Sequence, residues 1–356
     1  MMKFEKVNGR NVLGGSAGAA SRVLWPLLRT VMPFRAWQSL SGASLLMPYY
    51  HMVSDDAVPH VRHLYRYRTV REFEADLDFL LRCFVPVTLA DIVAHLRLMH
   101  RLPERCFHVT FDDGFREMYD VVAPILVKKG IPATFFLNSG FLDQRGMAHH
   151  NKISVLLDRM TQPLSKPVQR ELETLLPGAS GEQRDSSLLS LRYADRQILD
   201  RIATILHVDL HQYIDAAQPY LSSEQVFNLL KQGFTIGAHS VDHPLYLDLS
   251  LEEQIAQTRQ SIDFLVSRFG IDTRAFAFPH MDAGVGPEFF DVVFNERIVD
   301  VTFGTRGLLG HFHPRNVERV GMEKVAGTAA AIFAREYARA VYHRCLARFP
   351  ARSGQA

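Results

Sequence analysis

The chain has 356 residues, of which 47% are hydrophobic and 22% charged, and its 40 basic residues nearly balance its 38 acidic ones. This ordinary composition excludes a disordered chain, a collagen-like repeat and a coiled-coil rod. A net charge of +2 offers no basic surface of the kind that binds nucleic acid, so we expect no nucleic-acid partner. The three scattered cysteines exclude a disulfide framework and fit a reducing compartment.

Residues 1–40 are predicted to be an amphipathic N-terminal segment outside the main domain. Within residues 22–38, arginines are interspersed with apolar and aromatic residues, a pattern typical of an element at a membrane surface. Packing of this segment on the main domain explains the same pattern more simply. No apolar run approaches the ~20 residues of a spanning helix, and Pro26 interrupts the stretch that most resembles a signal sequence. We expect a cytoplasmic protein, with peripheral membrane contact through residues 22–38 left open.

The main domain is predicted over residues 41–325, where strand and helix patterns alternate. Apolar runs that end abruptly at polar residues predict buried strands. The predicted strands are residues 44–50, 106–111, 132–138, 234–238, 274–279, 299–304 and 317–320. Capping-box patterns at Thr69 and Ser250 predict helix starts, and Gly130 and Gly270 predict helix ends.

Residues 145–225 have few strand signals and long amphipathic stretches, which predict a helical insertion. Residues 326–356 are predicted to form a C-terminal helix, mainly over residues 329–348. The repeated alternation of strand and helix predicts an α/β fold of parallel strands with helical crossovers. In parallel barrels the chemistry lies at the carboxyl ends of the strands, so the polar residues that follow the strands are the candidate site residues.

The first candidate motif is Thr110-Phe-Asp-Asp-Gly114, directly after a predicted strand. Adjacent carboxylates at a strand end can diverge, so that one binds a metal ion and the other stays free as a base. The same letters also make a good turn, so this motif alone leaves both interpretations open.

The second candidate motif is His239-Ser-Val-Asp-His243, also after a predicted strand. Two imidazoles at this spacing can face one ion, and imidazole with carboxylate suits zinc. Pro244 disfavours a helix at His243, which places the pair on a loop. Together with Asp113 the motif would give a His₂Asp set with one coordination position open for water.

The combination of these motifs resembles a known family. TFDDG, a PATFF run downstream and HSVDH after GFTIGA are similar to the polysaccharide deacetylases, carbohydrate esterase family 4 with the NodB-homology domain. The resemblance covers roughly residues 44–144 and 222–322. It implies a distorted (β/α) barrel of about seven strands, a divalent metal, most often Zn²⁺, and hydrolysis of an N-acetyl group on a sugar.

Carried over by position, the resemblance assigns Asp112 as the general base and Asp113, His239 and His243 as metal ligands. The segment FAFPHMDAG at 276–284 lies where the family has F-R-P-P-Y-G or F-A-Y-P-Y-G.

In this segment His280 replaces the family's tyrosine and Met281 its glycine. We assign Pro279 and His280, together with Arg319, to substrate binding. Arg319 resembles a family arginine that follows the last strand, and it either orients Asp112 or forms a surface ion pair.

The general acid of the family is a histidine. In the permuted poly-N-acetylglucosamine type of deacetylase it follows a tyrosine at the end of the first strand, and Tyr50-His51 resembles that arrangement. His311 and His313 are the competing candidates, but they lie in a predicted loop, so His51 is preferred. His149 and His150, which open the insertion, are interpreted as part of a solvated loop.

The leading functional prediction is a metal-dependent hydrolase that removes N-acetyl groups from a saccharide, in exopolysaccharide, capsule or glycolipid assembly. Its expected partner is therefore an acetylated sugar. One alternative keeps the barrel and metal but takes a non-sugar amide or cyclic imide, which the altered 276–284 loop permits and which releases no acetate on ring opening. The other is a non-catalytic glycan-binding protein on the same barrel, against which the intact Asp112 beside a metal set argues.

Overall fold

The computed structural model describes residues 34–176, 182–309, 313–323 and 326–348. Its strands, numbered in chain order, are β1 (Leu45–Leu46), β2 (Pro48–Tyr50), β3 (Val85–Pro86), β4 (Cys106–Phe107), β5 (Val109–Phe111), β6 (Ala133–Leu137), β7 (Thr235–Ala238), β8 (Ala275–Ala277), β9 (Val301–Gly304), β10 (Asn316–Glu318) and β11 (Val320–Gly321). The main sheet has the order β10-β9-β8-β7-β6-β5-β2-β11, and all its neighbouring strands are parallel. A smaller sheet has the order β1-β4-β3.

The main sheet curls into a nearly closed barrel because one chain segment forms both of its edges. β10 pairs with β9 and β11 pairs with β2, and only Arg319 separates β10 from β11. The predicted distorted (β/α) barrel is therefore confirmed. The main sheet contains eight strand segments. When β10 and β11 are counted as one interrupted strand, the barrel has the seven strands that were expected.

The strands of the barrel are buried on both faces. Phe135 packs among the apolar side chains between the sheet and the outer helices. Its neighbour Phe136 points to the opposite face, against Ala275, Val301 and Phe303 inside the barrel. Successive side chains of a strand alternate between faces, so burial of both faces explains why the strand sequences are continuous apolar runs rather than alternating ones.

Thirteen α-helices in the described part of the chain surround or extend the barrel. They are α1 (Phe34–Ser41), α2 (Val70–Cys83), α3 (Leu89–Leu96), α4 (Ala123–Lys129), α5 (His149–Met160), α6 (Lys166–Leu175), α7 (Glu182–Leu189), α8 (Arg196–Ile205), α9 (Leu210–Ala217), α10 (Ser223–Lys231), α11 (Leu251–Phe269), α12 (Pro287–Asn295) and α13 (Ala329–Arg348).

The predicted helix boundaries are confirmed where the sequence carries capping signals. Thr69 and Ser250 cap α2 and α11 through complete capping boxes. Gly130 and Gly270 end α4 and α11 with φ of +65°, a left-handed conformation that costs glycine little. The helix predicted to precede Gly130 begins with a π-helical turn at Met118–Val122.

The helical insertion is confirmed and has an apolar cluster of its own. Side chains of α5, α6, α7 and α8 form it, including Ile153, Leu172, Leu188 and Leu199, all fully buried. The predicted boundary at residue 225 falls inside α10. That helix contributes Val226 and Leu229 to the barrel's outer core, so it is a crossover helix that leads into β7 rather than part of the insertion.

The described part of the N-terminal segment packs on the protein body. Phe34 of α1 makes edge-to-face contacts with Phe79, Phe84 and Tyr337, and Trp37 is buried. Residues 34–38 thus use their apolar side chains inside the protein, whereas residues 22–33 lie outside the described residues. Within the described ranges, no helix combines the length and apolar character required to cross a bilayer.

Candidate active site

The predicted site residues meet at one end of the barrel because the strands that precede them are paired in register. Tyr50 of β2 pairs with Phe111 of β5, which places the next residues, His51 and Asp112, side by side. The backbone N–H of Asp112 donates to Tyr50 O at 2.9 Å. The carboxyl ends of parallel strands share one edge, so residues from distant parts of the sequence converge here.

β6 and β7 extend the same edge. Leu137 pairs with Ala238, so Asn138 and His239 follow the two strands together. The Asn138 side-chain amide donates to the carbonyl oxygen of His239, which anchors the start of the His239-Ser-Val-Asp-His243 loop.

Asp113, His239 and His243 form a group with the geometry of a metal site. The Nε2 atoms of His239 and His243 lie 3.4 and 3.1 Å from Asp113 Oδ1. Tetrahedral ligands with bonds of about 2.0–2.1 Å to zinc are about 3.3 Å apart, so the observed spacing already matches that of ligands to one ion. Asp113 Oδ1 is buried and has no hydrogen-bond partner among the described residues.

The hydrogen bonds around His239 select the tautomer that can bind a metal ion. Its Nδ1 lies 2.8 Å from the carbonyl oxygen of Ala277, which can only accept, so Nδ1 carries the proton and Nε2 presents a lone pair toward Asp113. A ligand histidine that donates its other ring N–H to a carbonyl oxygen is the usual arrangement at metal centres.

The electrostatics of Asp113 favour an anionic ligand. Burial alone would raise the pKa of its carboxyl group, but His243 and His239 hold that pKa well below its ordinary value. The group is therefore ionised at neutral pH, as a metal ligand must be.

Backbone strain is concentrated in this loop cluster. Asp113, Ser240, His243 and His280 have φ of +75°, +67°, +61° and +58°, in a region that residues other than glycine seldom adopt. Each such residue costs on the order of 1–3 kcal/mol and persists only where the surrounding structure imposes it. At Asp113 the positive φ turns its carboxylate away from that of its neighbour, as the sequence motif predicts.

Asp112 is held by Arg319 in a buried two-point ion pair. Arg319 Nη1 and Nη2 donate to the two carboxylate oxygens at 2.6 and 2.8 Å, and the guanidinium lies over the rings of Tyr49 and Phe136 at 4.6 and 5.3 Å. Burial raises the pKa of Asp112, but Arg319 outweighs it, so the net shift is downward.

This placement corrects the predictions made for Arg319. Its side chain is 0% exposed, so it does not form a surface ion pair. Its remaining donors go to Thr110 Oγ1 and the carbonyl oxygen of Gly304, which leaves it away from any surface that a substrate could reach. The contacts of Arg319 with both oxygens of Asp112 fit the other role that the sequence left open, which is to orient that carboxylate.

His51 faces Glu323, a residue that the sequence interpretation missed. His51 Nδ1 lies 2.5 Å from Glu323 Oε2, and the same carboxylate accepts the backbone N–H groups of His51 and Met52. Burial lowers the pKa of His51, but Glu323 overcomes this and raises it to about 9. The signal for Glu323 was its place just after β11, which pairs with β2.

The competing histidines differ in their surroundings. His313 stacks on Phe294 with ring centroids 4.5 Å apart, and its Nδ1 accepts the backbone N–H of Arg315 at 3.1 Å. His311 lies outside the described residues. Of the candidates whose position is described, His51 is the one that the strand register places beside Asp112.

The loop after β8 brings His280 to the His239–His243 side of the site. The ring of His280 lies 4.4 Å from that of His243 and 4.8 Å from that of His150, centroid to centroid. Burial and His243 hold the pKa of His280 well below its ordinary value, so this imidazole is neutral. Pro279 is buried directly before it.

The interpretation of His149 and His150 as a solvated loop is wrong. They form the first turn of α5. His149 is buried, with Nε2 3.1 Å from the carbonyl oxygen of Leu191, and His150 reaches the site beside His280. The histidine pair at the start of the insertion was the available signal.

Several solved structures share this fold. IcaB from Ammonifex degensii is 18% identical with a TM-score of 0.52, over 83% of this chain and 97% of that one. The deacetylase PplD from Streptococcus pyogenes is 13% identical with a TM-score of 0.51, over 79% and 93%. A de-N-acetylase from Aggregatibacter actinomycetemcomitans is 14% identical with a TM-score of 0.50, over 80% and 97%. These similarities define an α/β barrel of the NodB-like class.

The sequence itself identifies the family. The polysaccharide deacetylase model matches residues 100–285, which is more than half of the 356 residues and includes Asp112, Asp113, His239, His243 and His280. The chain belongs to the polysaccharide deacetylase family and with it to the hydrolases of non-peptide carbon–nitrogen bonds in acetylated sugars. No curated protein sequence matches the chain.

The donor spacing predicts tight metal binding that depends on His239. We expect His239→Gln to weaken the tightest zinc-binding step by more than about 100-fold. Loss of a residue that only hydrogen-bonds to a metal ligand typically costs 10–100-fold in affinity, and loss of the ligand itself should cost more. Competition with a chromophoric chelator measures the change. His313→Gln, which alters a histidine outside the cluster, is the matched control, and equal zinc affinity of the two variants would contradict a metal site at Asp113.

The buried ion pair predicts that substitution of Arg319 greatly lowers the stability and that a second substitution, at Asp112, recovers it. Arg319→Met should lower the free energy of unfolding by about 3–5 kcal/mol, because it leaves the Asp112 charge buried without a partner. Adding Asp112→Asn should restore most of the loss.

Denaturant unfolding of the single and double variants measures this change. The control is Arg259→Met, which breaks the exposed pair with Glu296 and should cost no more than about 1 kcal/mol. Similar losses for the Arg319 and Arg259 variants would show that the buried pair has no special role.

Proposed function

We propose that the protein is a metal-dependent deacetylase that removes N-acetyl groups from a saccharide, with Asp112 as general base and His51 as general acid. The observation that carries the proposal is the convergence of Asp113, His239 and His243 at ligand spacing beside a carboxylate that is not part of that group. That carboxylate is Asp112, and His51 lies on the adjoining strand end. Together with the ligand group they make up the set of side chains that amide hydrolysis needs.

Asp113, His239 and His243 are the residues that would hold the ion. A divalent ion in such a site polarises a carbonyl group and lowers the pKa of a water molecule toward about 7. This set of one carboxylate and two neutral imidazoles is typical of sites that accept zinc.

Asp112 is suited to accept the proton of the attacking water. Its lowered pKa keeps it ionised at neutral pH, and the two donors of Arg319 fix the plane of its carboxylate. With the pKa of the water lowered by a bound ion, a weakly basic but well-oriented carboxylate would suffice as a general base.

His51 is suited to protonate the leaving amine. With its pKa raised to about 9, the ring carries both protons at neutral pH. Nδ1–H is engaged by Glu323, which leaves Nε2–H as the available donor. The register of β2 and β5 sets His51 and Asp112 on neighbouring strand ends, which supports their assignment as the acid and the base of one reaction.

The saccharide assignment is supported by the match to the polysaccharide deacetylase family. Two of the related structures are named as a deacetylase in complex with acetate and as a de-N-acetylase, which agrees with removal of an N-acetyl group. Within this proposal, the acetylated saccharide is a precursor in exopolysaccharide, capsule or glycolipid assembly. An amide of a non-sugar compound would be hydrolysed by the same residues and is distinguished by its products.

Acetate release from N-acetylglucosamine oligomers tests the proposal. We expect Asp112→Asn and His51→Gln each to lower kcat by about 10²–10⁴-fold, the usual contribution of one proton-transfer group, without loss of bound zinc. His313→Gln should retain the activity of the unaltered protein.

Acetate release that is insensitive to Asp112→Asn would contradict the assigned base. Zinc-loaded protein that releases no acetate from oligomers or lipid-linked acetylated sugars, but opens a cyclic imide, would contradict the saccharide assignment. Glycan binding without turnover of any of these compounds would favour a binding protein.

The His51–Glu323 pair predicts the alkaline limit of activity. His51 acts in its protonated form, so activity should persist while the pH is below its raised pKa of about 9 and fall as the pH rises through that value. Glu323→Gln removes the charge that raises the pKa while burial, which lowers it, remains. The alkaline limb of the kcat profile should therefore move to lower pH.

A pH series of acetate release measures the shift. Glu296→Gln, at an exposed carboxylate paired with Arg259, is the control and should leave the limb unchanged. If Glu323→Gln lowers kcat equally at all pH values, Glu323 does not act by setting the protonation of His51.

A further inference from the structure

A second group of metal-ligating side chains lies next to the first. His150, His243 and His280 each offer a ring nitrogen, and these atoms all lie within 4.8 Å of one another. The rings come from three separate elements: α5 of the insertion, the loop after β7 and the loop after β8. This group of three and the group that contains Asp113 share one residue, His243.

Each of the three histidines has a ring nitrogen that nothing satisfies. His150 Nδ1, His243 Nδ1 and His280 Nε2 are buried and have no hydrogen-bond partner within the described ranges. Buried polar atoms normally find a partner, and three such atoms on adjoining imidazoles point to a ligand that accepts lone pairs. The rings contact each other edge to face rather than through hydrogen bonds.

Backbone contacts hold His243 and His280, and a contact of the neighbouring residue holds the start of the helix that carries His150. The N–H of His243 donates to Ser240 Oγ at 3.0 Å, and the carbonyl oxygen of His280 accepts from Thr305 Oγ1 at 3.3 Å. His150 follows His149, whose ring is held by Leu191. Contacts within the folded protein therefore hold the three imidazoles close together without a bound ion.

His243 can belong to both groups because each of its two ring nitrogens is available to a different one. Nε2 lies 3.1 Å from Asp113 Oδ1 and belongs to the first site. Nδ1 is the buried atom without a partner and remains for the second. Donor atoms on one zinc ion are about 3.3 Å apart, so the separations in the second triple, which are at most 4.8 Å, need to shorten by no more than about 1.5 Å to close on an ion.

We propose that His150, His243 and His280 form a second metal site, adjoining the Asp113 site and linked to it by His243. Three imidazoles without a carboxylate select a transition metal that favours nitrogen, such as Zn²⁺, Ni²⁺ or Cu²⁺, over Mg²⁺, Ca²⁺ or Mn²⁺. The second site binds more weakly than the first because no anionic ligand offsets the charge of its ion. This inference rests on the imidazole geometry and not on the proposed deacetylation.

Zinc stoichiometry in ligand variants of the full chain tests the proposal. The unaltered protein should bind about two zinc ions at saturation, one tightly and one more weakly. His150→Gln and His280→Gln should each bind one ion and keep the tight step. Asp113→Asn should lose the tight step and keep the weak one, and His243→Gln should impair both.

His211→Gln, at an exposed histidine of α9, is the matched control for the loss of an imidazole, and thermal unfolding of each variant confirms that it is folded. Titration with Co²⁺, followed by the visible absorption of nitrogen-coordinated cobalt, identifies the ligands independently of zinc counting. The proposal is overturned if the unaltered protein binds one ion only, or if His150→Gln and His280→Gln still bind two. Loss of acetate release with two ions bound would reject the proposed reaction and leave this site standing.

Discussion

The ion pair between Arg319 and Asp112 is the interaction on which the rest of the structure depends. Arg319 is the residue between β10 and β11, so its backbone lies where the last strand changes from one edge of the barrel to the other. Its guanidinium crosses the interior to Asp112 at the end of β5. A charge this deep is tolerated only with a partner. The ionised state of the proposed base therefore depends on the closed barrel, because only closure brings Arg319 to Asp112.

Two adjacent aspartates acquire different chemistry from their surroundings. Asp112 continues the direction of β5 and meets an arginine, whereas Asp113 turns at φ of +75° and meets two imidazoles. Both carboxyl groups have a lowered pKa despite their burial, Asp112 because of Arg319 and Asp113 because of His243 and His239. The backbone turn between them separates the proposed proton acceptor from the proposed metal ligand within a single dipeptide.

Most of the barrel could be predicted because local signals and the fold agree. Apolar runs that stop at Asp112 and His239 identified both the strands and the site edge, and the capping residues identified the helices. The ligand triple followed from the same reasoning, since strand ends of a parallel sheet must meet.

The partners that the sequence analysis missed are those supplied by distant segments. Glu323 stands alone in the sequence and gains its meaning only from the pairing of β11 with β2. His150 reaches the site because the insertion docks its first helix there, which no periodicity of the insertion reveals. The role of Arg319 depended on burial, which is a property of the closed barrel rather than of the residue.

The pairing of β2 with β11 has a consequence for the order of assembly. His51 and Glu323 are separated by 272 residues, nearly the full length of the barrel, and contacts across such distances are the slowest to form in a folding chain. During synthesis, β5 and its two aspartates exist long before Arg319 and Glu323 have been made. An incomplete chain therefore holds a ligand set but neither the partner of Asp112 nor that of His51. If Asp112 and His51 act as we propose, the chain gains the partners of its base and its acid only when the final strand has been added.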